Sequence, residues 1–230
     1  TAAALFVITQ EDIRRSGSNN IPEVLRMVPG MQVARIDSNR WAISTRGFGE
    51  QFAKKLLVLI DGRSVYTPLF SGVYWDEQGV PMEDIERIEV IRGPGSTLYG
   101  ANAVNGVINI ITKNSKDTQG NIAVAGAGNF DQDYALLRHG GKIGENSTYR
   151  TYVQRYDSNG SKAEDGNTKN DGGGMTRAGF RTDGKISKEE NYTVQGDMYS
   201  SRINDEYDQL PNTAGAANAK GFLVSVRPDK

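Results

Sequence analysis

The sequence of 230 residues contains 27 basic and 28 acidic side chains, so its formal net charge at pH 7 is -1. This balance gives no electrostatic reason to expect nucleic acid as a partner. The absence of cysteine excludes thiolate chemistry, and a single histidine, His139, argues against a zinc site built from protein ligands alone. No apolar run approaches the roughly 18 residues of a membrane-spanning helix. The longest run, 56–60, ends at Asp61-Gly62.

Two short helices are predicted near the amino terminus. Thr9 and Asp12 have the spacing of a capping box, and Gly17 is a natural helix end. A second helix is predicted to begin around Asn20, with Pro22 in its first turn. Its predicted buried face consists of Val24, Leu25 and Val28, and Pro29-Gly30 is predicted to end it.

Short strands separated by glycine follow these helices. Alternating residues predict strands over 31–36, 42–45 and 86–92, and continuous apolar runs predict buried strands over 56–60 and 106–112. The Asp61-Gly62 pair is typical of a tight turn, and Pro81 to Ile85 has the pattern of one helical turn. Small elements of both kinds in one stretch indicate an α+β unit.

The pattern changes after about Lys113, and no helix signal follows. Segments at 121–129, 149–157, 192–200 and 222–226 alternate weakly with a period of two, between polar, glycine-rich turns. In the clearest segment, Tyr192, Val194 and Met198 share one face, and Thr193, Gln195 and Asp197 share the other. Antiparallel hairpins are predicted. The pattern alone fits a membrane barrel with interfacial tyrosines about as well as it fits a soluble sheet.

The segment from Glu86 to Thr112 closely resembles the signature of the plug domain of TonB-dependent receptors. Three further blocks agree in order and spacing, at 7–13 with 22–33, at 44–48 and at 57–63. The resemblance spans nearly all of residues 5–115. One departure is Asn105, where many members of the family have glycine.

This resemblance implies a plug domain over residues 1–115, lodged in a 22-stranded outer-membrane barrel whose first strands occupy 116–230. Barrels of that size have room for a plug, but at about 10 residues per strand plus turns, 116–230 supplies only roughly five to seven strands. The expected fold class is therefore an α+β plug followed by antiparallel strands of an incomplete transmembrane β-barrel. The family's energy-coupling segment would precede Thr1.

The resemblance also implies a function, a location and partners. A receptor of this family imports a scarce metal chelate (ferric siderophore, cobalamin or haem) through the bacterial outer membrane, with energy delivered by the protein TonB. The expected contacts are TonB, the chelate and outer-membrane lipid. The Asp61-Gly-Arg63 block and the loop after it look most like the cobalamin and siderophore receptors. An isolated polypeptide of residues 1–230 is expected to associate or to need detergent, because cut strands expose unpaired edges.

Two loops, at 37–41 and 66–75, are candidates for ligand binding. Both mix aromatic and polar groups in glycine- or proline-interrupted stretches, which is typical of binding sites, and the resemblance places the apical loops of the plug here. The candidate ligand-binding residues are Ser38, Asn39, Arg40, Trp41, Tyr66, Leu69, Phe70, Tyr74 and Trp75. Exposed Trp41, Phe70, Tyr74 and Trp75 would suit a large, partly apolar chelate. Packing of these aromatics in the plug core or against the barrel wall is the alternative.

Three charged residues, Arg46, Glu89 and Arg92, lie on or beside predicted buried strands. Each needs a partner, because an unpaired buried charge costs several kcal/mol. The resemblance implies contacts between plug and barrel, in which the arginines pair with acidic residues of the barrel wall. A salt bridge within the plug is the alternative.

No catalytic constellation is predicted. The clustered carboxylates are Asp61, Asp76, Glu77, Glu83 and Asp84, and no nucleophile or positioning histidine accompanies them. The glycine-rich stretch at 93–100 lacks the Gly-Lys-Ser/Thr of a phosphate loop, and Pro94 removes an amide that phosphate binding would use. The sequence therefore predicts a receptor that is not an enzyme and that has no covalently bound cofactor and no resident metal. A soluble plug-like binding module without transport is the alternative function.

Overall fold

The computed structural model describes residues 4–45, 55–67, 72–93, 99, 103–128, 131–187, 190–206 and 214–229. Contacts between Cα atoms divide the chain into two compact units, Thr1–Lys113 and Asn114–Lys230. The elements of the first unit are β1 (Ala4–Thr9), α1 (Gln10–Ser16), α2 (Ile21–Leu25), β2 (Met31–Arg35), β3 (Trp41–Thr45), β4 (Leu56–Ile60), β5 (Arg63–Ser64), β6 (Ile85–Arg92) and β7 (Gly106–Thr112). Those of the second are β8 (Gly120–Ala127), β9 (Asp131–Ile143), β10 (Ser147–Ser158), β11 (Gly173–Lys185), β12 (Asn191–Glu206) and β13 (Ala214–Asp229).

Helix α1 begins with the predicted capping box. The Asp12 amide donates to Thr9 Oγ1 at 3.2 Å, and the Thr9 amide donates to Asp12 Oδ2 at 2.9 Å. The bonds from the side chain and backbone of Thr9 hold the pKa of Asp12 below its ordinary value. Gly17 ends the helix in the left-handed conformation, with φ at 67°. The sequence prediction for this helix is confirmed at both ends.

Helix α2 is shorter than predicted. Asn20 caps it by accepting from the Glu23 amide at 3.0 Å, and Pro22 lies in its first turn, as expected. The helix ends at Leu25, because the next amides, of Met27 and Val28, bond three residues back rather than four. Val28 is still buried, so the predicted apolar face is confirmed while the predicted end at Pro29-Gly30 is wrong. None of the helices in the described part of the chain is long and apolar enough to cross a membrane.

The first unit is built around a five-stranded mixed sheet in the order β1-β6-β7-β4-β5. Strands β4 and β7 are parallel and the other neighbours antiparallel, while β2 and β3 form a separate hairpin. The residues of β6, β7 and β4 that face the helices are almost completely buried, among them Val58, Ile88, Val90, Ile108 and Ile110. Both predicted buried strands are thus confirmed, and the first unit has the expected α+β composition.

The turn between β4 and β5 is locked by a side chain. Asp61 and Gly62 have φ values of 48° and 76°, as a two-residue hairpin turn requires. The Asp61 carboxylate accepts from the amide and the hydroxyl of Thr112, each at 2.8 Å. This carboxylate therefore ties the end of β4 to the end of β7. Its role is structural, in agreement with the absence of any predicted catalytic partner.

Gly106 is required where β7 crosses between its neighbours. A methyl group there would lie 2.6 Å from the carbonyl oxygen of Ile91, which is backbone and has no room to yield. We expect Gly106→Ala to destabilise the first unit by about 1–3 kcal/mol, seen as faster amide hydrogen exchange across β6 and β7 in the purified protein. Gly126→Ala is the matched control, since no atom lies within 4 Å of its added carbon. Equal exchange in both variants would contradict this assignment.

The second unit is a meander of six antiparallel strands in the order β13-β12-β11-β10-β9-β8. Within the described residues β8 and β13 each pair on one side only, so the sheet is open. The number of strands lies within the predicted range. Strands β9 and β11 were not predicted, because charged side chains and glycines hide their alternation, as in the run Arg138-His-Gly-Gly-Lys142 of β9.

The two faces of this sheet have the reverse of the polarity of a soluble sheet. On one side, here called the apolar face, large apolar side chains are exposed: Leu137, Val153, Phe180, Met198, Val224 and Val226. On the other, the polar face, polar and charged side chains are buried: Arg138, Arg150, Gln154, Arg177, Asp183, Thr193 and Ser201. Apolar-out and polar-in alternation is the pattern of a transmembrane barrel wall.

Tyrosines cover glycines on neighbouring strands of this sheet. Four directly opposed pairs are formed by Tyr149 with Gly141, Tyr152 with Gly179, Tyr192 with Gly184 and Tyr199 with Gly221. In each pair, a methyl group on the glycine would lie between 2.1 and 2.7 Å from the nearest ring atom. Large rings that lie over glycines shield the bare backbone and pin the register of the strands.

The exposed apolar face predicts that a charge placed on it will impair insertion of the sheet into the membrane. Leu137→Arg should lower the folded, membrane-inserted fraction of the protein, because arginine on a lipid-facing strand costs about 2–4 kcal/mol near the bilayer midplane. Leu137 is 59% exposed on the middle of β9. Asp133→Arg, on the same face near the end of β9, is the control and should have little effect. Band shift on unheated gels measures the folded fraction, and equal losses would argue against lipid contact.

Candidate functional site

The loop between β2 and β3 is held by its own polar groups. Arg35 donates to the carbonyls of Ser38 (2.6 Å) and Asp37 (3.1 Å). The Asp37 carboxylate accepts from the amides of Asn39 (2.9 Å) and Arg40 (2.7 Å) and forms an ion pair with the Arg40 guanidinium. Ser38 and Asn39 are buried, whereas Arg40 is half-buried. The loop is therefore a preformed turn that leaves Arg40 as its most accessible predicted ligand contact.

Trp41 belongs to the hydrophobic core of the first unit and is only 7% exposed. The guanidinium of Arg35 lies 5.0 Å from its ring centroid, and that of Arg26 lies 5.8 Å away. Arg26 is fixed in turn by the Val33 carbonyl (2.8 Å) and the Glu23 carboxylate (2.6 Å). The ring therefore packs into the core with cationic groups over it. The expectation that Trp41 is exposed is wrong.

The second candidate loop, 66–75, contributes side chains to the same hydrophobic core. Thr67 and Gly72 exchange backbone hydrogen bonds of 2.7 and 3.3 Å, which close the loop at its base. Val73 and Trp75 are buried in the core cluster, Trp75 at 8% exposed, so the expected exposure of this tryptophan is also wrong. Indole rings contribute large apolar area, and here that area completes the folded core.

Tyr66 and Tyr74 are the half-buried aromatics of this loop. Burial raises the pKa of the Tyr74 phenol, and the carboxylates of Glu77 and Asp76 raise it further. Tyr74 therefore keeps its proton at neutral pH and can donate a hydrogen bond to a ligand oxygen. The predicted contacts Leu69 and Phe70 lie outside the described residues. Among the described candidates, the partly exposed side chains are Arg40, Tyr66 and Tyr74.

Of the three predicted plug–barrel residues, Glu89 and Arg92 have partners within the first unit. Glu89 accepts from Arg87 Nε at 2.8 Å and from Asn109 Nδ2 at 3.3 Å. The hydrogen bond that Arg87 donates to the Glu89 carboxylate raises the pKa of Arg87. Arg92 donates to the Pro29 carbonyl, while its Nε is buried without a hydrogen-bond partner. Arg46 lies outside the described residues, and the plug–barrel role of all three predicted residues stays a prediction.

Sequence reasoning missed a buried polar cluster in the second unit. The Asp183 carboxylate accepts from the Ser115 amide (2.7 Å), from Thr193 Oγ1 (2.6 Å) and from Arg181 Nε (2.9 Å). Ser115 Oγ also lies 2.6 Å from Thr148 Oγ1. One carboxylate thus connects the 115–118 turn to β11 and β12. No local motif marks it, because Ser115 and Thr193 lie 68 and 10 residues from Asp183 and only Arg181 is near it in the sequence.

A metal centre has no basis in the part of the chain that the structure describes. No group of three or more His, Asp or Glu side chains there is arranged to hold an ion. The carboxylates considered in the sequence instead have structural surroundings: Asp61 caps the β4 end, and Asp84 is buried beside β6. The first unit is thus a core-packed domain with partly exposed hydrogen-bond donors in its loops.

Residues 1–107 match the family model of the TonB-dependent receptor plug domain. This match places residues 1–107 in the plug-domain family of the TonB-dependent receptors, the class that was predicted. The mixed sheet of the first unit and the reversed polarity of the second agree with that class. This class is located in the bacterial outer membrane, which confirms the predicted location.

Proteins similar in sequence to this chain are named as receptors and transporters. The vitamin B12 transporter BtuB of Vibrio cholerae serotype O1 is 30% identical over 186 residues, which cover 81% of this chain and 30% of that protein. The ferric enterobactin receptor of Pseudomonas aeruginosa is 35% identical over 173 residues, covering 66% of this chain and 22% of that protein. A crystal structure of the ferric enterobactin receptor PfeA from Pseudomonas aeruginosa superposes with a TM-score of 0.64 at 25% identity, over 86% of this chain and 33% of that one.

The chain spans about a third or less of the length of these relatives. They are transporters and receptors, which supports the prediction that the chain is not part of an enzyme. The predicted fold class, an α+β plug followed by antiparallel strands like those that begin a receptor barrel, is confirmed.

Proposed function

We propose that the chain is the plug and the first barrel strands of a receptor that imports a scarce metal chelate across the outer membrane with energy from TonB. The observation that carries this proposal is the plug match over residues 1–107, followed in the same chain by a sheet whose exposed face is apolar. Two relatives are named for vitamin B12 and ferric enterobactin, both of which are metal chelates. We assign residues 1–115 to the plug and 116–230 to the barrel.

Within this proposal, the ligand contacts the apical loops of the plug at 37–41 and 66–75. Arg40, Tyr66 and Tyr74 supply hydrogen-bond donors to the oxygen-rich surface of a chelate, and Leu69 and Phe70 supply apolar contact. Trp41 and Trp75 act indirectly, because they hold both loops to one core. Transport requires that the ligand bind one plug state better than another, so ordering of the 66–75 loop is the step that ligand would drive.

A ligand screen of the full-length receptor tests this function. Cells that carry the receptor as their sole uptake route would be supplied with ferric siderophores, cobalamin or haem, in the presence and absence of TonB. We expect growth on one class of chelate and loss of that growth without TonB. Growth that does not depend on TonB, or no uptake of any metal chelate, would overturn the proposal.

Substitution of the accessible donors tests the binding loops. Arg40→Ala combined with Tyr74→Phe should weaken chelate binding by about tenfold or more, since each lost hydrogen bond to a charged group contributes about 1.5–3 kcal/mol. Arg15→Ala is the matched control, because Arg15 is exposed on α1 and paired only with Glu11. Unchanged affinity in the double variant would remove these residues from the binding site. The alternative of a soluble binding module is disfavoured by the exposed apolar face.

A further inference from the structure

The apolar face of the second unit ends in charged residues at one edge. On β10 the residues of this face are uncharged from Ser147 to Val153, and then Arg155 follows. On β12 they are uncharged from Tyr192 to Ser200, and then Arg202 follows. On β13, Lys220 is in register with Ser200. On β11 the residues at this level are the uncharged Gly174 and Thr176, and on β9 Asp133 is in register with Asp157. The edge therefore carries charges of both signs, where the uncharged band stops.

A polar cavity of about 720 Å³ opens at this edge. It is lined by the cations Arg155, Lys169 and Arg202 and by one carboxylate, Asp157, with a floor of glycines and hydroxyl groups. Arg155 donates from Nε and Nη2 to the Asp157 carboxylate, at 2.6 and 2.7 Å, and from Nη1 to Thr176 Oγ1 at 3.1 Å, and its side chain remains 59% exposed. Arg202 is exposed and has no ion-pair partner among the described residues. The positive charge of the cavity therefore exceeds its negative charge.

The roof of the cavity is an ordered loop. Between β10 and β11, Asp171 accepts from the amide (2.6 Å) and the hydroxyl (2.5 Å) of Ser161, and Lys162 donates to Thr168 Oγ1 at 2.6 Å. The two sides of the loop are in close contact at Gly160, where an added methyl group would be 1.7 Å from the Lys169 carbonyl oxygen. The cavity is thus preformed by backbone and short polar contacts.

Loop lengths place this edge relative to the membrane. At one edge the β9–β10 and β11–β12 connections span 144–146 and 186–190. At the other edge the β8–β9 connection spans 128–130, the β10–β11 connection 159–172 and the β12–β13 connection 207–213, so the longest connections are at this edge. Outer-membrane barrels have short periplasmic turns and longer extracellular loops. This edge is therefore on the extracellular side, at the level where an apolar band gives way to charge and where lipid headgroups lie.

We propose that the cavity of Arg155, Lys169 and Arg202 binds the phosphorylated headgroup of an outer-leaflet lipid. Guanidinium groups form paired, charge-assisted hydrogen bonds with phosphate, and basic pockets at the edge of membrane-spanning segments bind lipid headgroups. The lipid's acyl chains would then cover the apolar face directly beside the cavity. This inference depends on the outer-membrane placement of the strands and not on which chelate is imported.

The test uses the detergent-purified full-length receptor with diphosphoryl lipid A as the probe, followed by native mass spectrometry. The variant Arg155→Gln with Arg202→Gln should bind lipid A about tenfold or more weakly. Lys185→Gln, beside the short-turn edge, removes a positive charge away from the cavity and should bind like the parent. Unchanged binding in the double variant, or an equal loss in the control, would overturn the proposal.

Two further measurements complete the test. One distinguishes lipid phosphate from free phosphate, and the other distinguishes failure of this proposal from failure of the proposed transport function. Inorganic phosphate at millimolar concentration should not displace lipid A, and full displacement would indicate a free-anion site instead. Band shift on unheated gels should show that the double variant is folded, and a variant that fails to fold is replaced by the single Arg202→Gln change. Chelate uptake is measured in parallel: normal lipid binding without uptake would contradict the proposed function alone.

Discussion

Replacing Trp41 by alanine should destabilise the plug by about 3–5 kcal/mol, the usual cost of truncating a buried aromatic side chain. Trp41 is buried in the main core and lies beneath the guanidinium groups of Arg35 and Arg26. Its loss leaves a cavity and also removes the surface on which those cations rest. Amide hydrogen exchange of the plug in the purified full-length receptor measures the effect, which should extend over β2 and β3.

The control for this prediction is Leu5→Ala, because Leu5 is a large apolar residue that is 60% exposed on β1. It should change exchange rates little. Ligand uptake should fall in Trp41→Ala together with plug stability, and Trp41→Phe should recover part of both. A Trp41→Ala receptor with normal plug exchange and weakened chelate binding would show instead that the indole touches ligand directly.

Replacing Asp183 by alanine should cost about 3–5 kcal/mol, the typical cost of removing one partner of a buried ion pair. Its side chain is 7% exposed and pairs with Arg181, which is 12% exposed. The change leaves Arg181 without its carboxylate and removes the acceptor of the Ser115 amide. The 115–118 turn should therefore loosen from β11 and β12, which limited proteolysis of the full-length receptor would detect.

Asp165→Ala is the matched control for this second prediction. Asp165 is an exposed aspartate in the β10–β11 loop whose hydrogen bonds, at 2.9 and 2.8 Å, go only to nearby Asn167. Protease sensitivity at 115–118 should be unchanged in this variant. Ser115→Ala should reproduce part of the Asp183→Ala effect, because it removes the hydroxyl 2.6 Å from Thr148 Oγ1. Equal protection in all variants would show that the turn is held elsewhere.

Several elements of this fold were predictable because their causes are local. The capping box of Thr9 and Asp12, the left-handed Gly17 and the Asp61-Gly62 turn each depend on residues within three or four positions of one another. The buried strands β4 and β7 were predictable because continuous apolar runs at their lengths favour strands that are covered on both faces. The class was predictable from ordered motif blocks across the first unit.

Other elements were not predictable because their causes are distant. Strands β9 and β11 pair through backbone groups that carry no sequence signal, and their polar residues are explained only by the face on which they lie. The exposure of Trp41 and Trp75 was predicted wrongly, because a loop position says nothing about which core lies beneath it. Arg181 lies two residues from Asp183, but the other partners, Ser115 and Thr193, lie 68 and 10 residues away.

The amino-acid sequence by itself determined the class of this protein, the α+β character of its first half and the strand character of its second half. Short-range chemistry and apolar periodicity are sufficient for these conclusions. Only the tertiary structure decided which side chains are accessible. It buried both tryptophans, left Arg40, Tyr66 and Tyr74 partly exposed, and placed apolar residues outward on the second sheet. Accessibility depends on what packs against a residue, and that is a property of the folded chain.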